Sequence, residues 1–220
     1  MNYDIIGGDS YPVLEVELQP GDEIVAESGA MSWMDAHVSV KTSTRGGALK
    51  ALKRKLLTSE SIFQNTYSVS DKPGKVGIVA GSPGTIVQHE MAGDLYLEKG
   101  AYLASTAGID LDAKFEGLKG LFNEGLFVMR ATGAGTLFFT GYGDVTPVEV
   151  NGEYVVDNGY AVAWSPTLTY RISRAKKIRS FLFSDQLLLR FSGQGTVWVQ
   201  SRSAQSLANF FYPYRPQKAD

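Results

Sequence analysis

The chain has 220 residues, with 24 glycines, 8 prolines, 11% aromatic residues and a net charge of -2. This length is sufficient for one large β domain or several small fused ones, and the nearly balanced charge gives no overall attraction to nucleic acid or anionic lipid. The absence of cysteine excludes disulfides, thiolate catalysis and cysteine-bound metals. The N-terminus resembles neither a signal peptide nor a transit peptide, and no window reaches the roughly 18 apolar residues that span a bilayer. We expect a cytoplasmic protein.

A glycine-bounded β pattern occurs three times along the chain, at residues 21–31, 93–102 and 152–161. Each copy contains a glycine followed by an acid, then an apolar pair, a second acid and a closing glycine. A strand-like segment follows each copy at the same offset. The closing glycines, separated by 71 and then 59 residues, are Gly29, Gly100 and Gly159.

A second pattern occurs at residues 127–139 and again 60 residues later at 187–199; a looser version, interrupted by an insertion, spans 62–79. Short β-branched or aromatic runs bounded by glycine are typical of strands joined by tight turns. A phosphate-binding loop is disfavoured because a strand, and no helix, follows these glycines. We expect positive φ angles where hairpins reverse, at Gly133, Gly135, Gly193 and Gly195.

These repeats predict an all-β chain with three tandem units at residues 1–84, 85–145 and 146–220. One half-unit alone leaves an apolar face exposed, whereas three stacked or ring-arranged copies bury a continuous core. The first unit carries a predicted short helical insertion at 46–57.

The order and spacing of these elements resemble the altered-inheritance-of-mitochondria family, whose bacterial members have no established biochemical activity. The resembling segments are 28–31, 46–47, 60–63, 100–104, 133–135, 193–197 and 200–201. The resemblance implies a fold similar to the tryptophan RNA-binding attenuation protein (TRAP), with three TRAP-like repeats, each a short double-stranded β-helix or β-sandwich unit. It also implies chains that assemble as trimers into a ring. The mitochondrial location of the fungal member does not carry over, and no residues match the RNA-binding lysines or tryptophan pocket of the attenuation protein.

Catalytic and metal-binding patterns are weak. His37 and His89 occupy different places in different repeats, which disfavours a shared metal site. The recurring carboxylates of the glycine patterns indicate turn or strand-end hydrogen bonding, because paired acid–base catalysis needs two carboxylates in different environments. No nucleophile elbow, phosphate loop or zinc-helix motif is found. We therefore predict that the chain is not an enzyme and uses no cofactor.

Two basic runs and an aromatic tail stand apart from the repeats. Leucines 49, 52 and 56 lie on one face of the predicted helix. The bases of that helix either contact anionic lipid or nucleic acid or form a solvated face while the leucines dock on the β core. The tail at 210–216 is expected to pack against a neighbouring surface, with an intersubunit contact as one option. The candidate anion-binding residues of the two runs are Lys50, Lys53, Arg54, Lys55, Arg174, Lys176 and Lys177.

The leading prediction is a non-catalytic, ring-forming scaffold or interaction protein whose partner is itself. Unpaired strand edges of repeated β units must be closed or covered, which favours pairing between chains. One alternative is a nucleic-acid or anionic-membrane binding module that uses the basic insertion, and a third is a small-ligand site between repeats.

Overall fold

The structure, a computed structural model, describes residues 1–43, 64–116, 126–174 and 187–215. Within these ranges the chain is predominantly β, with two short 3-10 turns at Lys99–Ala101 and Tyr212–Tyr214. The strands are β1 Asn2–Ile6, β2 Val13–Leu18, β3 Glu23–Glu27, β4 Met31–Met34, β5 Ser39–Ser43, β6 Gln64–Ser68, β7 Gly74–Val79, β8 Ile86–Glu98, β9 Tyr102–Thr106, β10 Ile109–Glu116, β11 Leu126–Thr140, β12 Val145–Asp157, β13 Ala161–Trp164, β14 Thr169–Arg174 and β15 Leu187–Gln200, and the helix is α1 Ala204–Phe211.

Strand β2 shows how the sequence pattern specifies a half-buried strand. Leu14, Val16 and Leu18 are fully buried, while Glu15 and Glu17 between them are only partly buried. Side chains alternate between the two faces of a strand, so this sequence directs its apolar residues to the core and its acids outward.

The same strand pairings occur in three groups. In the second group, β8 pairs antiparallel with β11 from Ile86↔Thr140 to Glu98↔Val128, while the other edge of β11 pairs with β10 and β9. In the third group, β12, β13, β14 and β15 make the corresponding pairings. The first group makes them as well, but each of its long strands is divided in two: β2 and β3 pair with β7 and β6, whose other edges pair with β4 and β5.

The long strands fold back on themselves. Asn158 N donates to Leu187 O at 2.9 Å, and Gln200 N donates to Tyr160 O at 2.9 Å. The first and last residues of β15 therefore meet the same short corner at 158–160. The paired strands β12 and β15 thus bend near the middle and form two layers of a small sandwich, and β8 and β11 make the equivalent pairings.

Facing glycines mark these bends. Gly93 lies opposite Gly133, with φ angles of 142° and 122°, and Gly152 lies opposite Gly193, with φ angles of 110° and 125°. Residues other than glycine rarely adopt these positive φ angles, so the facing glycines let both paired strands bend at the same position.

Gly133, Gly135 and Gly193 have the expected positive φ angles and Gly195 does not, but the prediction that the four glycines lie where hairpins reverse was wrong. The first two lie inside β11 and the last two inside β15. Their physical role is a bend and a close approach: a Cβ on Gly133 would lie 2.2 Å from Gly108 O, in the turn between β9 and β10.

Because the long strands bend, their two halves belong to different sheets. The strands therefore form two complete sheets and two half-sheets. The complete sheets have the orders β5-β6-β3-β9-β11-β8 and β10-β11-β8-β13-β15-β12. One half-sheet, of order β14-β15-β12, belongs to the third strand group. The other, of order β4-β7-β2-β1, belongs to the first strand group. Three clusters of buried apolar residues fill the layers between sheets.

The C-terminal tail differs from its expected packing. Ser203 caps α1 by accepting from Ser206 N at 3.3 Å, yet no residue of α1 is buried. The aromatic side chains of the tail lie exposed on this chain, namely Phe210, Phe211, Tyr212 and Tyr214. The predicted helical insertion at 46–57 lies outside the described residues.

Candidate assembly interface

Consecutive strand groups are joined by backbone pairing of a long strand with the next short strand. At the first junction β3 pairs with β9, and Ala26 lies opposite Ala104. At the second junction β8 pairs with β13, and Leu97 lies opposite Ala163. Leu97 follows Ala26 by 71 residues and Ala163 follows Ala104 by 59, the same offsets that relate the closing glycines. The two junctions therefore share one register.

A buried hydroxyl ties the first junction together. Tyr102, at the start of β9, donates to Val25 O at 3.0 Å, and Gln64 Nε2 donates to its hydroxyl at 3.2 Å. Its hydroxyl also lies 3.1 Å from Ser105 Oγ. Tyr102, Gln64 and Ser105 are all buried, so this network makes the pairing of β3 with β9 specific.

Aromatic packing takes the place of that network at the second junction. Tyr96 of β8 stacks on Trp164 of β13 at 6.1 Å between ring centroids, and it meets the edge of Tyr170 of β14 at 6.4 Å. Trp164 is fully buried. Burial of large rings contributes strongly to interface stability, so this junction is held mainly by apolar contact.

The end of each short strand is fixed by an equivalent hydrogen bond. Thr106 Oγ1 accepts from Thr136 N at 3.2 Å, and Ser165 Oγ accepts from Thr196 N at 3.0 Å. In the first group, Asp35 Oδ2 accepts from Lys75 N at 2.9 Å. The three acceptors are related by the offsets of 71 and 59, although their residue types differ.

The short strand of the first group, β4, lacks the second neighbour that β9 and β13 have among the described strands. Within the part of the chain that the structure describes, β4 pairs with β7 alone. Met31 and Trp33 on this strand are each 37% exposed, and the residues at the corresponding places of β9 and β13 are at most 3% exposed. Those counterparts are Tyr102, Ala161, Ala104 and Ala163.

The long strand of the third group has the complementary exposure. Among the described strands, β12 pairs with β15 alone. Val155 is 43% exposed, whereas its counterpart Val25 is fully buried under β9. Val40 of the first group is 42% exposed, while its counterpart Tyr170 contacts Tyr96 across the second junction. Among the described strands, β4 and β12 thus expose the two sides of a pairing that is buried at both internal junctions.

The structure places the three closing glycines at one kind of corner, between the end of a long strand and the start of a short one. Gly100 N donates to Glu98 Oε2 at 2.8 Å, and Gly159 N donates to Asp157 Oδ1 at 3.0 Å. Gly29 adopts a φ of 93°. The recurring carboxylates at Glu98 and Asp157 therefore bond to the backbone of the corner.

One of the predicted anion-binding residues lies within the described ranges. Arg174 ends β14, and the other six lie outside the described residues. Sequence reasoning missed Arg190, which lies directly opposite Arg171 on the neighbouring strand. Both side chains are exposed, and Arg190 Nε donates to Ser173 Oγ at 3.1 Å. The facing side chains of Arg171 and Arg190 form a small basic patch on strands β14 and β15.

The two histidines have separate structural environments. His37 Nε2 lies 2.9 Å from Pro73 O. His89 lies among aromatic rings, 5.3 Å from Trp198 and 6.4 Å from Phe139 between centroids. Burial there lowers the pKa of His89, and the charge of Glu90 opposes this effect. No three His, Asp or Glu side chains converge on a possible metal position in the described ranges.

An open cleft of about 350 Å³ lies where the corners of the second and third groups meet. Gln200 spans it: its Nε2 donates to Gly159 O at 2.8 Å, and its Oε1 accepts from Tyr142 N at 2.8 Å. Asn158 Oδ1 is buried there and has no hydrogen-bond partner among the described groups. The small-ligand site predicted between repeats would correspond to this cleft.

Comparison with known proteins agrees with the architecture. The profile of the mitochondrial biogenesis AIM24 family matches residues 3–202. The chain belongs to this family. An uncharacterised protein of Streptococcus pyogenes serotype M6 is 28% identical over 232 residues, which cover 100% of this chain and 93% of that protein. A crystal structure of a Streptococcus pyogenes protein, 26% identical, superposes with a TM-score of 0.81 over 97% of this chain and 99% of the other. In the part of this AIM24 family member that the structure describes, no helix is long and apolar enough to cross a membrane.

Proposed function

We propose that this protein is a non-catalytic cytoplasmic scaffold or interaction protein that works as a ring of identical chains. Each chain contributes three TRAP-like units, which correspond to the three strand groups, with a trimer as the assembly. The streptococcal relative with which it shares its sequence is itself an uncharacterised protein, so the proposal depends on the geometry of the chain itself.

One observation carries this proposal: among the described strands, β4 and β12 each have an unpaired edge, whereas the equivalent edges of the other strand groups are paired with each other at the two internal junctions. Unpaired backbone edges with exposed apolar residues favour strand addition. Because the two edges differ, the contact is heterologous, and such contacts close into rings when the rotation permits.

Light scattering of the purified chain across a range of concentrations and salt tests the assembly. We expect a mass three times that of one chain, insensitive to salt because the edges are backbone and apolar. A monomeric mass at all concentrations would contradict the proposal.

A second candidate is binding of nucleic acid or anionic membrane, which is favoured by the exposed Arg171–Arg190 pair beside the second basic run. Charge reversal of Lys50, Lys53, Arg54 and Lys55 tests it. The scaffold proposal expects unchanged, weak retention on a polyanion column, because the net charge is -2. Strong, salt-sensitive retention that the variant loses would favour the second candidate.

A further inference from the structure

We propose that β4 of one copy adds to β12 of a second copy in the register of the internal junctions, with Met34 opposite Val155 and Trp33 opposite Val156. This inference rests on the proposed assembly and specifies its contact. It would join the half-sheets into one continuous sheet with the order β14-β15-β12-β4-β7-β2-β1, in which β4, β7, β2 and β1 come from the second copy.

The register follows from two independent internal pairings. Ala26↔Ala104 and Leu97↔Ala163 each map onto Val156↔Trp33 by the sequence offsets, and Val25↔Ser105 and Tyr96↔Trp164 each map onto Val155↔Met34. A slip of one residue would send every side chain to the opposite face. The agreement of both junctions on one register is therefore informative.

The exposed side chains of Val155 and Val40 correspond to side chains that contact each other at the second internal junction. At the second junction Tyr96 contacts Trp164 and Tyr170, and the corresponding contacts of Val155 are with Met34 and Val40 of the second copy. Val155 and Val40 are exposed on a single chain, and this pairing would bury both.

A second copy is the occupant that matches both edges. The outer edges of β5, β10 and β14 have no partner among the described strands in any of the three groups, so they do not distinguish one group from another. Among the described strands, only β4 and β12 have an unpaired edge at a place where the equivalent strands are paired, as β3 is with β9 and β8 with β13. Each copy has one of each edge, which makes the contact head to tail.

Cysteine pairing tests the register, since the natural chain has no cysteine. We mix a Met34→Cys variant with a Val155→Cys variant under mild oxidation and analyse the products without reductant. Directly opposed residues have Cα atoms about 4.5–5.5 Å apart, which suits a disulfide. We expect linked dimers, and at least tenfold fewer when Tyr154→Cys replaces Val155→Cys, because Tyr154 faces the other side of the strand.

A charge variant provides a second readout that does not depend on disulfide geometry. Val155→Asp changes an exposed residue of the single chain, so its circular dichroism should match the natural protein while its native mass falls to that of one chain. Asn151→Asp on the same strand is the matched control, since Asn151 is exposed and lies outside the proposed contact. It should keep the natural mass.

The outcomes separate the register from the assembly. Equal linking of both cysteine pairs, or linking of neither while the native mass stays multimeric, would overturn the register and leave the scaffold proposal standing. A natural chain that is monomeric at every concentration would overturn both.

Discussion

The hydroxyl of Tyr102 donates to the carbonyl oxygen of Val25, 77 residues earlier in the chain, at 3.0 Å. This bond crosses from the second strand group to the first and sits beside the buried amide of Gln64. It shows that the first and second groups are joined by a specific polar network in addition to backbone pairing. The same place in the first group is occupied by Met31, which is 37% exposed.

Tyr102→Phe is expected to lower the free energy of unfolding by about 1–3 kcal/mol, because the buried amide of Gln64 loses its acceptor. The urea midpoint should fall with an unchanged m-value. Tyr11→Phe is the control, since Tyr11 is exposed. A midpoint equal to that of the control would show that the network is not stabilising.

Gly133→Ala is expected to destabilise the chain by about 2 kcal/mol or more. Alanine is strained at the φ of 122°, and its Cβ would lie 2.2 Å from Gly108 O. Gly81→Ala is the matched control because no atom lies within 4 Å of its added Cβ. Thermal unfolding should separate the two variants by several degrees, and equal melting temperatures would refute a structural need for glycine at the bend.

Thr106→Val is expected to cost about 1–3 kcal/mol, because the Thr136 amide would lose its side-chain acceptor. Thr42→Val removes a hydroxyl from an exposed bond to Asn65 and should change stability by no more than about 0.5 kcal/mol. Chemical denaturation of both variants provides the measurement. A Thr106 variant as stable as the Thr42 variant would mean that the strand-end hydrogen bond contributes little.

Acidification is expected to destabilise the native chain through His89. Its lowered pKa means that the unfolded state binds more protons below the ordinary histidine value of about 6.5. The free energy of unfolding should therefore fall as the pH drops below about 6.5 and level off below the native pKa of His89. His89→Gln should lose this part of the slope, whereas His37→Gln should keep it. An NMR titration that places the pKa of His89 at or above 6.5 would contradict the assignment.

The predominantly β fold could be predicted from sequence because alternating apolar residues and glycine-bounded runs are local signals, as in β2. The role of Gly133 and Gly193 could not, because positive φ serves equally well at a hairpin end and at a bend within a strand. The assembly edges were missed for a similar reason. Trp33 and Val155 look like ordinary strand residues in the sequence. Only the repeat offsets, applied to the two internal junctions of the structure, show that their counterparts are buried.

The amino-acid sequence by itself determined the β character, the spacing of the repeated patterns and the family resemblance, since each depends on residue types at fixed separations along the chain. The tertiary structure alone decided which strands become neighbours. The pairing of β3 with β9 and of β8 with β13 joins residues more than 60 positions apart, and long-range backbone pairing leaves no local signal. For the same physical reason, only the folded chain reveals that β4 and β12 each keep one unpaired edge among the described strands.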